Sequence, residues 1–145
     1  MLEKKILIIA PYGFNDRMTN FIEFISARVL AKNGWKVVAM AKSDTNKNLH
    51  ETISGVDVYH YSGFLGGIKT LFKILANVKP SIIHIHNLRN NRLGIIAAMV
   101  SKTIHTPLCF TEYGLLHDHY LTDDRDNPLP KPIHYEKVII SLKDL

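Results

Sequence analysis

The sequence predicts an α/β domain of three layers with a mainly parallel sheet of about six strands. Apolar runs alternate with segments in which apolar residues recur at helical spacing, over most of the 145 residues. This alternation is typical of strands joined by crossover helices. In Lys4–Gly13, two lysines precede five unbroken apolar residues and Pro-Tyr-Gly follows them. Such a run favours a strand covered on both faces. We therefore predict that Lys4–Gly13 contains the central strand, with function beyond its carboxyl end.

A helix and a second strand follow the first strand. Asn33-Gly34 is a favoured helix end, and Trp35–Ala41 is a second apolar run. Together these segments predict a right-handed βαβ unit with parallel strands. The apolar residues that recur at helical spacing in the helix are Phe21, Ile22, Ile25, Val29 and Leu30.

The middle of the chain predicts a strand and an amphipathic helix. Thr45–Glu51 is polar and predicts a loop or a short helix, whereas Val56–Tyr61 alternates like a strand nearer the sheet edge. Lys79-Pro80 ends the helix that follows. The apolar stripe of this helix is Leu65, Ile68, Leu71, Phe72 and Leu75.

The remaining segments predict three more strands. Ser81–His86 and Leu108–Thr111 flank Gly94–Val100, whose small apolar residues suit a helix packed closely on a sheet. Leu115–Pro132 is polar and has no clear period, and Lys137–Ser141 predicts a sixth strand. We expect one domain, 1–145, that is either a shortened form of a longer protein or a stand-alone unit.

Composition narrows the class of protein. The chain is 46% hydrophobic and 21% charged, as is ordinary for a soluble protein, and its net charge of +5 permits an anionic partner without selecting one. Cys109 is the only cysteine, which excludes an internal disulfide and fits a reducing cytoplasm. No apolar run approaches the ~18–20 residues of a membrane span. We expect a cytoplasmic protein, at most peripheral to the membrane, and no nucleic acid partner.

Polar residues follow the predicted strands and would meet at one edge of the sheet. Hydroxyls, amides and a few charges there suit a polyhydroxyl or phosphorylated ligand, although loops are polar in any protein. Phosphate-loop signatures are absent, so a self-sufficient NAD- or ATP-dependent enzyme is not expected. The predicted binding residues are Gly13, Asn15, His86, Asn87, Arg89, Glu112 and Tyr113.

Two histidine pairs raise the alternative of a metalloenzyme. His84 and His86 are two apart on a strand and so share a face, and His117 and His119 form a second pair. No Cys, Asp or Glu follows His86 at ligand spacing. We therefore predict no metal, with His84 as a core residue and His86 accessible near the strand end.

Lys69 and Lys73 lie one turn apart on the flank of the helix that ends at Lys79-Pro80. They could place this helix on an anionic membrane, with its apolar face in the interface. The ordinary interpretation is a core-facing apolar stripe beside two solvated lysines. A membrane-facing role for both lysines is the alternative.

Several segments resemble family-4 glycosyltransferases of the GT-B fold. The first strand ends in Pro11, and Leu30–Gly34 is similar to the family's "LAxxGH". Lys79–Asn87 resembles "KPDVVHxHN", Thr111–Gly114 resembles "TEHG" and Val138–Leu145 resembles "IIxVSxxL". These motifs occur in the family's order and span essentially the whole chain.

The resemblance implies a Rossmann-like amino-terminal domain that binds the acceptor, often a sugar or a lipid-linked sugar at the cytoplasmic membrane surface. A nucleotide-sugar donor and a Glu-x7-Glu pattern belong to the family's carboxyl-terminal domain. That pattern is absent here, since the residue eight after Glu112 is Tyr120. We expect the acceptor half without its donor domain, inactive alone and with no cofactor of its own.

Two departures from the family bear on its site. Gly13 stands alone where the family often has a glycine pair, and Tyr113 replaces the histidine of "TEHG". A phenol has a pKa of about 10 and cannot accept a proton as imidazole does near neutrality.

Arg89 or Arg92 would meet a phosphate or carboxylate of the acceptor. The alternative function is a non-catalytic α/β module for a partner protein or an anionic membrane.

Overall fold

A computed structural model describes residues 4–10, 14, 22–43, 45–86 and 91–111, which all belong to one compact unit, Met1–Glu112. The predicted strand at 137–141 and the polar segment at 115–132 lie outside the described residues.

The described residues form an α/β fold of six strands and three helices. The strands are β1 (Lys5–Ala10), β2 (Lys36–Lys42), β3 (Leu49–Ile53), β4 (Val56–Tyr61), β5 (Ile82–His86) and β6 (Leu108–Thr111). The helices are α1 (Ile22–Lys32), α2 (Gly63–Val78) and α3 (Arg92–Thr103). One sheet contains all six strands in the order β3-β4-β2-β1-β5-β6. Every pairing is parallel except that of β3 with β4, which confirms a mainly parallel sheet.

The prediction that the first apolar run lies inside the sheet is confirmed. Strand β1 pairs with β2 on one side and with β5 on the other, so that Ile8 lies between Ala39 and His84. Leu7, Ile8 and Ile9 have no exposed surface. Strands β2 and β4 follow to one side of β1, and β5 and β6 follow to the other. The strand order therefore reverses between the carboxyl ends of β1 and β5, where open α/β sheets bind ligands.

Alternating residues of β1 belong to two separate buried clusters. Ile6 and Ile8 lie in the first cluster with Phe24 of α1. Leu7 and Ile9 lie in the second cluster with residues of α2 and α3. The unbroken apolar run of β1 is explained by this arrangement, because both sets of its side chains are buried.

The prediction of a loop or short helix at Thr45–Glu51 is wrong in its last three residues, which belong to β3. Strand β3 pairs antiparallel with β4 through a two-residue turn, with Leu49 opposite His60 and Ile53 opposite Val56. Ser54 and Gly55 both have positive φ, 53° and 83°, as a twist-matched hairpin turn requires. Four of the five β3 residues are exposed, so this edge strand has neither the apolar run nor the apolar alternation by which the other strands were identified.

The buried face of α1 differs from the predicted one. Ile22, Ile25 and Val29 are 45–52% exposed, whereas Glu23, Phe24 and Ala27 are buried. Apolar residues occur on most sides of this helix, so their spacing does not identify the packed face. The side that carries Phe24 and the small Ala27 is the one that fits against the sheet.

Helix α2 also exposes residues that the predicted stripe would bury. Leu65 is 73% exposed and Phe72 is 50% exposed, whereas Gly67, Leu71, Ile74 and Val78 are buried. Ile68 and Leu75 are partly buried against the second cluster. In the described part of the chain, no helix combines the length and hydropathy that a membrane crossing needs.

The prediction of close packing at Gly94 is confirmed. A Cβ atom on Gly94 would lie 2.7 Å from Cγ2 of Ile85 and 3.2 Å from Cγ of Asn91. Gly94→Ala is therefore expected to lower the free energy of unfolding by about 1–3 kcal/mol through overpacking. Urea unfolding measures this change.

Gly66→Ala in α2 is the matched control. A Cβ atom there would make only an ordinary 3.4 Å contact with Oδ1 of Asn48. Because alanine is the better helix former, this variant is expected to be unchanged or up to about 1 kcal/mol more stable. Equal destabilisation of both variants would contradict the close approach of α3 to β5.

Candidate functional site

Only one of the seven predicted binding residues, His86, lies among the described residues. It is the last residue of β5, beside the point where the strand order reverses. Lys69 and Lys73 are described and exposed on α2. The predicted residues outside the described part are Gly13, Asn15, Asn87, Arg89, Glu112, Tyr113, His117 and His119.

The burial expected of the two β5 histidines is the reverse of what the structure shows. His86 is 1% exposed, whereas His84 is only partly buried and its Nε2 lies 2.9 Å from Oγ1 of Thr111. Glu23 from α1 and Asn91 before α3 both approach His86. A position at the end of a strand therefore does not make this side chain accessible.

His84 and His86 do lie on the same side of β5, as their spacing predicts. Their ring centroids are 4.1 Å apart and the ring planes make an angle of 41°. Within the described ranges, no three His, Cys, Asp or Glu residues are grouped so that they could hold a metal ion. The two imidazoles are therefore close neighbours whose rings are tilted and not stacked.

Glu23 is a site residue that the sequence analysis missed. It lies in the first turn of α1, is 5% exposed, and places Oε1 4.0 Å from Nδ1 of His86. An acidic residue in the first turn also interacts favourably with the helix dipole. No signal in the sequence points to it, because the apolar spacing of α1 does not identify the face that carries Glu23, Phe24 and Ala27.

The histidine pair is held in the neutral form. Burial, together with the neighbouring His84, lowers the pKa of His86 to about 4. Burial also lowers the pKa of His84. Burial is the larger of these two causes for His86. Neutral imidazole offers one donor and one acceptor nitrogen.

Asn91 joins the end of β5 to the start of α3. Its Oδ1 accepts a hydrogen bond from the backbone N–H of Gly94 at 2.9 Å, which caps the helix. Its Nδ2 donates to the carbonyl oxygen of His86 at 3.4 Å. The predicted binding residues Asn87 and Arg89 lie in the sequence between these two fixed positions. The N-cap pattern, an Asn just before an apolar helical run, is the signal that points to Asn91.

No family model and no curated protein matches this chain. The likeness to family-4 glycosyltransferases therefore rests on its motifs, two of which have clear structural roles. Gly34 has a φ of 80° just after α1, where a glycine is favoured. Lys79 ends α2 with a φ of 52°, and Pro80 is buried before β5. Gly34 thus lies in the turn before β2, and Lys79 and Pro80 lie in the turn before β5.

The carboxyl edge of the sheet, where the carboxyl ends of β1 and β5 lie, thus has a group of buried polar side chains, called here the buried floor. Glu23 contributes a carboxylate, His86 a neutral imidazole and Asn91 an amide, and all three are at most 5% exposed. Their burial means that they orient neighbouring groups rather than form the outer surface. This floor lies where the sheet topology predicts a ligand crevice.

Proposed function

We propose that this chain is the Rossmann-like, three-layer amino-terminal domain of a GT-B glycosyltransferase and binds the sugar or lipid-linked acceptor. The single observation that carries the proposal is the strand order. The order reverses between β1 and β5, and His86 is the last residue of β5, while open α/β sheets bind ligands at such a reversal. The ordered series of family-like motifs supports the same assignment.

In this proposal the buried floor positions the acceptor-binding residues. Asn91 fixes the backbone at both ends of the segment that carries Asn87 and Arg89. Arg89 pairs with a phosphate or carboxylate of the acceptor, because its guanidinium can bind such groups through two parallel hydrogen bonds. Neutral His86 keeps this edge free of a second positive charge. Gly13, Asn15, Glu112 and Tyr113 complete the acceptor site.

The chemistry of glycosyl transfer then requires a donor held elsewhere. A nucleotide sugar is the donor that the family resemblance implies, and a separate donor-binding domain would present it to the acceptor. We propose that the 145-residue chain alone binds acceptor but does not turn over a nucleotide sugar. We propose that the protein acts in the cytoplasm and is at most peripheral to the membrane.

Acceptor binding is testable by NMR titration of the 145-residue chain with glucose, N-acetylglucosamine and their 1-phosphates. We expect saturable amide shifts that are largest at His86, Asn91 and Thr111, on the carboxyl edge of the sheet. Asn91→Ala should weaken binding several-fold, since it releases the ends of the 87–90 segment. The matched control is Asn77→Ala, at an exposed position of α2, which should bind as the unaltered protein does.

Two results would overturn the proposal. The first is a titration in which no probe causes saturable shifts, or in which the shifts cluster at the opposite edge near Trp35. The second is turnover of a nucleotide sugar by the chain alone, which would show that it is not an acceptor half.

A further inference from the structure

The positive charge of this protein comes from one continuous stretch of sequence. Between Asp57 and Glu112 there is no acidic residue, and there are six lysines and arginines. The rest of the chain carries twelve basic and thirteen acidic side chains. Helices α2 and α3 both lie in the stretch without acidic residues. A patch of one sign attracts surfaces of the opposite sign.

The outer sides of α2 and α3 combine these cations with large apolar side chains. Both helices pack on the second buried cluster, so their exposed residues lie away from that cluster. Leu65 and Met99 are 73% and 68% exposed, which makes them the most exposed large apolar residues among those described. The other exposed apolar residues here are Phe64, Phe72, Ile95 and Ile104. The exposed cations are Lys69, Lys73, Lys79, Arg92 and Lys102.

An apolar groove runs between the carboxyl-terminal halves of the two helices. Phe72 and Leu75 of α2 line it together with Val100 and Ile104 from α3 and the residues after it, and its volume is about 370 Å³. Lys79 is the one charged side chain among the described residues that line it. The groove thus offers an apolar interior with a positive charge at its side, which suits an amphipathic anion.

We propose that the outer surface of α2 and α3, called here the α2/α3 surface, docks on an anionic lipid bilayer. Leu65, Phe72 and Met99 enter the boundary between headgroups and acyl chains, as apolar residues of interfacial helices do. The lysines and Arg92 contact lipid phosphates, and their long side chains reach past the apolar residues. The groove beside Lys79 receives part of an acyl chain.

Charge and exposed apolar area together select this partner over a protein surface. An acidic protein would complement the cations alone, but Leu65, Phe72 and Met99 lie exposed on the same two helices as the cations. A bilayer with anionic lipids presents phosphates and apolar chains together over a wide area. The inference is independent of acceptor binding, which concerns the carboxyl edge of the sheet.

The test is flotation of the 145-residue chain with vesicles of phosphatidylcholine alone or with an equal part of phosphatidylglycerol. We expect binding to the anionic vesicles only, weakened by added salt because screening shortens the range of the attraction. The double variant Lys69→Glu with Lys102→Glu should reduce partitioning on the order of tenfold or more. Leu65→Gln with Met99→Gln should also abolish retention, and both residues are exposed enough to leave the fold intact.

Matched controls come from exposed positions outside the α2/α3 surface. Ile25→Gln with Val29→Gln removes two exposed apolar residues of α1, and Lys32→Glu with Lys36→Glu reverses two exposed charges at the end of α1 and the start of β2. Both double variants should bind vesicles as the unaltered chain does. Equal losses in the controls would overturn the proposal, since attraction would then not depend on the α2/α3 surface.

Two further outcomes also overturn the proposal. One is the absence of binding to anionic vesicles. The other is a dimer in sedimentation that Leu65→Gln with Met99→Gln dissociates, without vesicle binding, which would make the surface an interface between copies. Vesicle binding without sugar binding would leave this proposal standing and remove the acceptor function.

Discussion

Replacing Phe24 with alanine is expected to lower the free energy of unfolding by about 3–5 kcal/mol, the range for a large aromatic residue removed from a core. Phe24 is 1% exposed and belongs to the cluster that contains Ile6 and Ile8 of the central strand. Its ring centroid lies 5.0 Å from that of Phe14, and the guanidinium carbon of Arg28 lies 5.6 Å from the ring. Truncation would leave a cavity between α1 and the sheet.

The neighbouring residue supplies the control for this prediction. Ile25 is 45% exposed, so Ile25→Ala is expected to change stability by no more than about 0.5–1 kcal/mol. Urea unfolding at neutral pH compares the two variants directly. A larger loss for Ile25→Ala than for Phe24→Ala would show that α1 packs through the stripe that the sequence predicts.

Lowering the pH from about 7 to about 4 is expected to destabilise the protein through His86. The pKa of this imidazole is 6.5 when it is solvated and about 4 in the fold, chiefly because of burial. The unfolded chain therefore binds a proton at a pH where the folded chain does not. The contribution of neutral His86 to the free energy of unfolding is fully present above pH 6.5 and is lost as the pH falls towards 4. The total loss at this site is about 3 kcal/mol. His84 acts in the same direction because its pKa is also lowered.

The variant His86→Gln separates this effect from other acid-induced changes. Glutamine keeps a polar side chain at the position but does not titrate. The dependence of unfolding free energy on pH should become shallower by up to about 1.4 kcal/mol per pH unit between pH 6.5 and 4. Urea midpoints measured at several pH values give this slope. An identical slope in the variant and the unaltered chain would contradict a buried neutral His86.

The central strand and the parallel sheet were predictable because a short, unbroken apolar run between turn residues is typical of a strand that is buried on both faces. Strand β3 was not, since its pairing depends on the turn at Ser54 and Gly55 rather than on apolar periodicity. The packed face of α1 was also ambiguous, because Ile22 and Ile25 lie on one side of the helix and Phe24 lies on another. Local spacing does not show which side meets the sheet.

The site was predictable to a lesser degree than the fold. Spacing by two residues correctly places His84 and His86 on one face of β5. The burial of His86 was not predictable, because it depends on Glu23 and Asn91, which other segments bring to the strand end. A sequence pattern shows the periodicity of a single element, whereas the side chains of the buried floor come from three segments: α1, β5 and the N-cap of α3.

The two side-chain hydrogen bonds of Asn91 connect the end of β5 to the first turn of α3. They hold the backbone before and after residues 87–90, through the carbonyl oxygen of His86 and the backbone N–H of Gly94. Neither bond involves the side chains of those four positions. A change of side chain at residues 87–90 would therefore remove no atom that takes part in these two bonds.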